Sequence, residues 1–209
     1  MPERISGKAA PFPYDNVDTD QIIPAQFLKL LQKKGLGRYL FYRWRFDESG
    51  NPRADFILND PRYRDASILI AGKNFGIGSS RENAVWALVD YGIRAVLAES
   101  FGDIFYGNAV KNGLACIALP ESVLRELRER AERSELYLTI DLGRKVIEYD
   151  DRSLEFNVDE YARRRLMTGE SEIEYTMRNY LNRIEEYEKR MPSFAARGID
   201  SVTRRILEG

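Results

Sequence analysis

A serine–arginine motif is the first place in this sequence where chemistry is expected. Ser79, Ser80 and Arg81 follow Gly76 and Gly78 in the run Asn-Phe-Gly-Ile-Gly-Ser-Ser-Arg-Glu. Glycine allows positive φ and close backbone approach, so backbone N–H groups can converge here, where a helix begins and its dipole favours an anion. The motif therefore predicts a small volume that holds a hydroxyl group, a guanidinium and backbone donors.

A structural alternative explains the same motif without catalysis. Ser79 and Glu82 have the spacing of a capping box, in which the serine accepts a hydrogen bond from the helix N-terminus and the glutamate reaches back. The serine hydroxyl would then serve only its own helix. The surrounding residues match neither a Walker loop nor the dinucleotide-binding glycine pattern, and they lack the serine-hydrolase pattern G-x-S-x-G.

The residue counts exclude several catalytic classes. The 209 residues include no histidine, which excludes a Ser-His-Asp triad, a Cys-His pair and an H-E-x-x-H zinc site. The single cysteine, Cys116, cannot supply the thiolates of an iron–sulfur cluster, and its apolar neighbours favour a packed thiol. We therefore predict no metal ligands in this chain, and any metal ion in the reaction must come from another molecule. A catalytic Ser79 would depend on Arg81 and on backbone N–H groups.

Alternating apolar runs and helical segments place the motif in an α/β fold. Three apolar runs have the composition of buried strands: residues 66–71, 94–98 and 114–119. With helices between them they form parallel βαβ crossovers, and ligands of such sheets bind beyond the carboxyl ends of the strands, where the motif lies. Short strands within residues 136–156 predict an antiparallel meander, followed by amphipathic helices at 158–167 and 173–190.

Residues 9–23 contain prolines and aspartates and are predicted to be irregular. Counted from Asp15, the EF-hand pattern fails, because position 6 is Asp20 in place of glycine and position 12 is Gln26 in place of glutamate. Two interpretations remain for this acidic segment. Its carboxylates either stabilise turns or form the edge of a pocket.

A basic and aromatic stretch at residues 33–46 also has two interpretations. Its cations could follow phosphates while its rings stack on bases, as in single-stranded nucleic-acid binding. The net charge of −1 gives the chain no general attraction for nucleic acid, so we expect no nucleic-acid partner. We favour a glycine-hinged loop that packs its rings or covers a pocket.

The composition, 44% hydrophobic and 31% charged, fits one globular unit with an appendage. No apolar run approaches the roughly 20 residues of a membrane span, and the N-terminus lacks the apolar centre of a signal peptide. We therefore expect a cytoplasmic protein without membrane contact. The predicted boundaries are 1–156 for the α/β domain, 157–194 for a helical C-terminal extension and 195–209 for a tail with disorder.

Four motifs, in order along the chain, resemble one protein family. They are residues 15–28, 44–46, 74–82 and 100–108. Together they resemble the long bacterial form of the 3-isopropylmalate dehydratase small-subunit family, over roughly residues 4–194. That family is similar to the mobile fourth domain of aconitase. The resemblance implies a three-layer β/β/α swivelling domain of the aconitase type with a helical C-terminal extension.

The resemblance also implies an activity and a partner. The family interconverts 2- and 3-isopropylmalate, a small hydroxy-dicarboxylate pair, by loss and regain of water in leucine biosynthesis. A large subunit would hold the [4Fe–4S] cluster that polarises the departing hydroxyl, and this chain would bind no cofactor itself. The assembly would be a heterodimer or heterotetramer. Related hydro-lyases acting on citramalate or homocitrate are alternatives, and a nucleic-acid-binding module at 33–46 or a non-catalytic regulatory domain are alternatives of other classes.

Carried onto this sequence, the resemblance implies that Ser79 is the base that takes a proton from carbon and that Arg81 binds a substrate carboxylate. This agrees with the motif itself, because dehydration next to a carboxylate builds up enolate-like charge that a guanidinium and N–H groups stabilise. The further substrate-binding candidates are Ser80, Arg45, Asp18, Thr19, Asp20 and Asn74.

Two positions carry less information than the rest of the motifs. The aconitase pattern has a second substrate-binding arginine before the serine motif, and Arg38, Arg43 and Arg45 all lie in the right segment. We choose Arg45, because the Trp-Arg-Phe run at 44–46 matches the bacterial form. Position 83 is asparagine where the family usually has histidine, so a hydrogen-bonding role is kept while a proton-transfer role is lost.

Overall fold

The computed structural model describes residues 3–27 and 33–191, and a seven-stranded mixed sheet forms the centre of this part of the chain. Its strands are β1 (Arg4–Pro11), β2 (Ile68–Ile70), β3 (Ala95–Ala98), β4 (Ala115–Ala118), β5 (Tyr137–Asp141), β6 (Val146–Tyr149) and β7 (Arg152–Glu155). The order across the sheet is β4-β3-β2-β1-β5-β6-β7. Strands β1 to β4 pair in parallel, whereas β5 to β7 continue from the other side of β1 as an antiparallel meander.

The helices of the described residues are α1 (Thr19–Ile22), α2 (Tyr42–Arg45), α3 (Glu82–Tyr91), α4 (Asp103–Lys111), α5 (Glu121–Arg133), α6 (Glu160–Thr168) and α7 (Glu172–Glu188). Short 3-10 turns occupy Ala25–Phe27, Gly37–Tyr39 and Ile57–Asn59. Within residues 3–27 and 33–191, no helix is both long and apolar enough to cross a membrane. The tail predicted at 195–209 lies outside the described residues.

Two hydrophobic cores lie on the two faces of the sheet, because successive side chains of a strand point to opposite faces. In β2, Leu69 belongs to one core while Ile68 and Ile70 belong to the other. The first core contains the apolar faces of α3 and α4 and the buried side chains of residues 36–41. The second contains the apolar faces of α5 and α6. The turn between β2 and α3, which carries the serine–arginine motif, is therefore held between a buried strand and a buried helix.

The contacts divide the chain into two units, Met1–Gly169 and Glu170–Gly209. The first unit contains the whole sheet. In the described part of the second unit, α7 begins with a capping box: Glu174 N donates to Ser171 Oγ at 3.2 Å, and Ser171 N donates to Glu174 Oε2 at 2.6 Å. The division at residue 169 falls inside the helical extension predicted at 157–194, and the predicted domain boundaries stay a prediction.

The α/β class is confirmed, as are the parallel arrangement of the three apolar runs and the antiparallel meander. The irregular segment predicted from residue 9 is wrong in its first part, because Arg4–Pro11 forms β1 at the middle of the sheet. Its sequence, RISGKAAP, contains one β-branched residue and ends in proline, so local propensity does not indicate a strand. Pairing with β2 on one side and β5 on the other stabilises the strand instead.

Candidate active site

Helix α3 begins at Glu82, and its N-cap residue is Arg81 in place of Ser79. Arg81 makes no side-chain cap bond, and Glu82 does not reach back, because its Oε1 accepts from Asn112 Nδ2 at 2.8 Å. The capping-box interpretation of Ser79 is therefore wrong. Ser79 and Ser80 are both exposed, and neither hydroxyl forms a hydrogen bond with any residue that the structure describes.

The turn before the motif depends on its glycines. Gly76 has a φ of 78° and Gly78 a φ of 97°, both in the left-handed region that disfavours residues with a Cβ. Gly76 N donates to Val17 O at 2.7 Å, which fixes the turn against the N-terminal segment. Among the described residues, no acceptor pairs with the N–H groups of Gly78, Ser79 and Ser80. These donors are therefore free to meet a ligand.

Asn74 holds the other end of this turn. Its backbone N donates to Ser100 Oγ at 2.9 Å, Ser100 Oγ donates to Asn74 Oδ1 at 2.9 Å, and Asn74 Nδ2 donates to Asn16 Oδ1 at 2.8 Å. Asn74 also has a φ of 56°, and such local hydrogen bonds stabilise a left-handed asparagine. These contacts favour a turn-holding role for Asn74 over the substrate contact that we predicted. Helix α4 begins after Ser100, and its N-cap residue is Gly102.

Asp18 and Thr19 attach helix α1 to the serine turn. Asp18 is the N-cap of α1 and accepts from Asp20 N and from the following N–H group at 2.8 and 2.7 Å. Thr19 is buried, and its Oγ1 donates to Ser79 O at 3.1 Å while its N donates to Ile77 O at 2.9 Å. Both side chains are thereby engaged within the protein. Their contacts position the backbone of Ser79.

Asp20 lies between two arginines. Arg81 Nη1 donates to Asp20 Oδ1 at 2.7 Å, and Arg43 Nη1 donates to Asp20 Oδ2 at 2.7 Å. The Arg81 side chain is 22% exposed and that of Arg43 is 62% exposed. The hydrogen bond from Arg81, helped by the charge of Arg43, lowers the pKa of Asp20 below its usual range. We call Asp20, Arg43 and Arg81 the Asp20 cluster.

Arg43, and not the chosen Arg45, is the second arginine of the Asp20 cluster. The Arg45 guanidinium donates to Asn59 Oδ1 at 3.3 Å and to two backbone carbonyls of residues 37–40, and burial lowers its pKa. Within the described chain, no contact joins Arg45 to the cluster. Arg38 lies over the ring of Tyr39, 4.7 Å from the ring centroid. The Trp-Arg-Phe match pointed to Arg45, and no local signal in the sequence marks Arg43 as the partner of a distant aspartate.

The aromatic residues of 33–46 pack within the protein. The Phe41 ring lies 4.7 Å from that of Phe12 and is stacked on Trp44 at 5.8 Å. Tyr39 stacks on Phe27 at 4.0 Å. Rings held in this way are not a platform for bases, so the structure favours the packed loop over the nucleic-acid surface.

The described residues do not form a site for a metal ion or cluster. Among the residues with described positions, no group of three or more histidine, cysteine, aspartate or glutamate side chains is arranged to hold a metal ion. Cys116 is buried, and burial raises the pKa of its thiol. These residues do not fit an iron–sulfur cluster. What the site offers is an exposed hydroxyl, free N–H groups and two guanidiniums around one carboxylate, a set suited to anions.

Comparisons with known proteins find similarity over most of this chain. Residues 3–122 match the family model of the aconitase C-terminal domain. The 3-isopropylmalate dehydratase small subunit of Brevibacillus brevis is 49% identical over 187 residues, which are 88% of this chain and 96% of that protein. The corresponding subunit of Lactococcus lactis subsp. cremoris is 46% identical over 184 residues, covering 88% and 95% of the two chains. A crystal structure of 3-isopropylmalate dehydratase (leuD) from Methanocaldococcus jannaschii is 28% identical, with a TM-score of 0.62 and coverage of 88% and 99%.

Proposed function

Because this chain belongs to the family of 3-isopropylmalate dehydratase small subunits, which carry the aconitase C-terminal domain, we propose that it is the small subunit of this hydro-lyase. It interconverts 2- and 3-isopropylmalate by loss and regain of water, a step of leucine biosynthesis. Similarity extends over nearly nine-tenths of the chain, with 88% covered by each of two relatives. The proposal therefore concerns the whole α/β unit and includes the serine turn.

The observation that carries the mechanism is the exposed, unbonded hydroxyl of Ser79 in the turn next to Arg81. We assign Ser79 as the base that removes a proton from substrate carbon. An alkoxide at Ser79 is stabilised by the Arg81 charge and by the free N–H groups of Gly78 and Ser80. No imidazole is required, in a chain that has no histidine. Ser80 lies beside the base and is assigned to substrate binding.

The Asp20 cluster is proposed to recognise the substrate carboxylates. A guanidinium has five N–H donors, and the described contacts of Arg81 with Asp20 use one nitrogen. The remaining donors can bind a substrate carboxylate while Asp20 keeps the guanidinium oriented. As the proton leaves carbon, negative charge spreads into that carboxylate, and Arg81 stabilises the transition state more than the substrate. Arg43 binds the other end of the diacid.

The other half of the active site belongs to the large subunit. This follows from the name of the family and from the absence of imidazole and of a second thiol in the sequence. In the proposal the large subunit brings a [4Fe–4S] cluster, which supplies Lewis-acid activation of the departing hydroxyl group. Heterodimeric and heterotetrameric assemblies fit this division equally.

The choice of diacid is the finest part of the proposal. Two guanidiniums select two carboxylates, and the alkyl group then distinguishes isopropylmalate from citramalate and homocitrate. The test is to mix the chain with a cluster-bearing large subunit of the same enzyme family and to measure turnover of all three diacids. We expect the highest kcat/KM with isopropylmalate and no turnover by either chain alone. Preference for citramalate or homocitrate would reassign the substrate, and inactivity with every diacid would refute the hydro-lyase assignment.

A further inference from the structure

Asp90, in the last turn of α3, binds the backbone of a neighbouring segment. Its Oδ2 accepts from Gly35 N at 2.9 Å and from Gly37 N at 2.7 Å. Bonds from backbone N–H groups to a carboxylate are charge-assisted and stronger than those between neutral groups. One carboxylate of α3 therefore fixes two amides of the segment that leads to α2.

Gly37 brings the same segment into direct contact with the end of α3. A Cβ built on Gly37 would lie 2.5 Å from Tyr91 N and 2.8 Å from Asp90 C, closer than side-chain atoms approach a backbone. The glycine is required here by the close approach of two backbones and not by its φ. The contact is thus a second, steric constraint at the place where Asp90 forms its hydrogen bonds.

Arg45 holds the same segment through its side chain and backbone. Its Nη1 donates to Gly37 O at 3.4 Å and to Leu40 O at 3.3 Å, and its guanidinium lies 4.8 Å from the ring centroid of Tyr91. In addition, Asn59 Nδ2 donates to Arg45 O at 2.7 Å. Arg45 therefore ties the start and the end of residues 37–45 to each other and to α3.

The two arginines of the Asp20 cluster are connected through this arrangement. Arg81 is at the start of α3, and Asp90 is at the end of the same helix. Arg43 is in α2, whose backbone is held by Arg45 and, through Gly37, by Asp90. A rigid helix thus sets both positions, one directly and one through the segment.

We propose that Asp90 and Arg45 are positioning residues that hold Arg43 opposite Arg81 across the Asp20 carboxylate, so that the spacing of the two guanidiniums is fixed when substrate carboxylates bind. The importance of this spacing for turnover rests on the proposed function. The geometric claim, that Asp90 controls the Arg43–Asp20 pair, does not.

The test in the assembled enzyme compares Asp90→Ala with Asp47→Ala. Asp47 is the matched control, because its Oδ1 also accepts from two backbone amides, Ser49 N at 2.9 Å and Asn51 N at 2.8 Å. Those hydrogen bonds lie within the loop of residues 47–51 and do not involve residues 35–37. We expect Asp90→Ala to raise KM about tenfold or more with little change in kcat, the equivalent of losing one charged hydrogen bond to substrate. Asp47→Ala should keep the wild-type KM.

The test that is independent of turnover follows the Asp20 carboxyl by carbon NMR in the isolated full chain. Displacement of Arg43 removes a charge that lowers the pKa of Asp20, so Asp90→Ala should raise that pKa toward its ordinary value. Arg43→Ala gives the largest rise that loss of this partner can cause, and Asp47→Ala should give none. An unchanged pKa of Asp20 in a folded Asp90→Ala protein would overturn the inference.

Asp90→Asn is the second variant in case the alanine variant does not fold. It keeps the shape of the side chain but removes the charge that strengthens both amide bonds, so KM and the pKa of Asp20 should shift in the same direction by smaller amounts. Wild-type values of both quantities would contradict a positioning role. If the wild-type mixture converts no diacid while Asp90→Ala still shifts the pKa of Asp20, the proposed function fails and the geometric claim stands.

Discussion

Replacement of Gly76 by alanine is expected to destabilise the fold and to displace the serine turn. The Cβ of alanine would lie 2.2 Å from Cγ of the buried Phe105 ring, and the backbone φ is 78°. The left-handed conformation costs a non-glycine residue about 1–2 kcal/mol. Forcing extra volume into a packed core costs about 1–3 kcal/mol more. The free energy of unfolding should therefore fall by about 2–5 kcal/mol, which lowers Tm by about 4–20 °C in a chain of this size.

Gly107→Ala is the matched control. Gly107 lies inside α4, is exposed, and has no atom within 4 Å of a built Cβ. Because alanine is more favourable than glycine in the interior of a helix, this substitution should stabilise the protein by about 0.5–1 kcal/mol. The same chemical change is thus expected to act in opposite directions at the two positions.

Urea unfolding followed by circular dichroism measures both effects. A Gly76→Ala, Phe105→Leu double variant separates the two causes, because a smaller side chain at 105 relieves the overlap and leaves the cost of positive φ. The double variant should lose less stability than the sum of the single variants. Wild-type stability in Gly76→Ala, or stabilisation like that of Gly107→Ala, would refute the account of this turn.

Three further results are expected. In Asp20→Asn, the free energy of unfolding should be lower than in the wild type at neutral pH and should converge with it in acid. Urea midpoints measured over a range of pH give this difference. The arginines hold the pKa of Asp20 below its ordinary value of 3.8. The ion pairs of Asp20 therefore stabilise the fold above that pH and are lost as pH falls through the lowered pKa. A difference in unfolding free energy that does not change with pH would contradict this reasoning. Arg43→Ala should raise KM for the diacid about tenfold or more, while Arg38→Ala, at an exposed residue outside the Asp20 cluster, should not, as steady-state kinetics can decide. Cys116 should resist iodoacetamide in the folded protein and react in urea, because burial raises the pKa of its thiol. Rapid alkylation of the native protein, detected by mass spectrometry, would contradict this prediction.

The parallel half of the fold could be predicted from sequence because its signals are local. The runs at 66–71, 94–98 and 114–119 are strongly apolar. The helix Glu121–Arg133 directly follows Pro120 and has an acidic residue in its first turn, both typical of the start of a helix. Strand β1 could not be found in this way. Its residues Gly7, Lys8 and Pro11 are poor strand formers, and only pairing on both sides makes the segment extended.

The site shows the same division between local and distant information. The glycines before Ser79 indicate a turn with free N–H groups, and the structure contains it. The capping box fitted the local pattern equally well, and it is wrong because Glu82 pairs with Asn112, 30 residues further along the chain. The pairing of Arg43 with Asp20 could not be predicted for the same reason. The two residues lie in different segments, and spacing in sequence does not report that pairing.

The central claim is that the hydroxyl of Ser79 acts as the base once a large subunit brings the rest of the site. The direct measurement is kcat of the assembled enzyme with Ser79→Ala, beside Ser80→Ala as the neighbouring control. Removal of a general base lowers the rate about a hundredfold to ten-thousandfold. Ser79→Ala should therefore lower kcat by at least about a hundredfold, while assembly with the large subunit is kept. Ser80→Ala should mainly raise KM. Wild-type kcat in Ser79→Ala would contradict the claim.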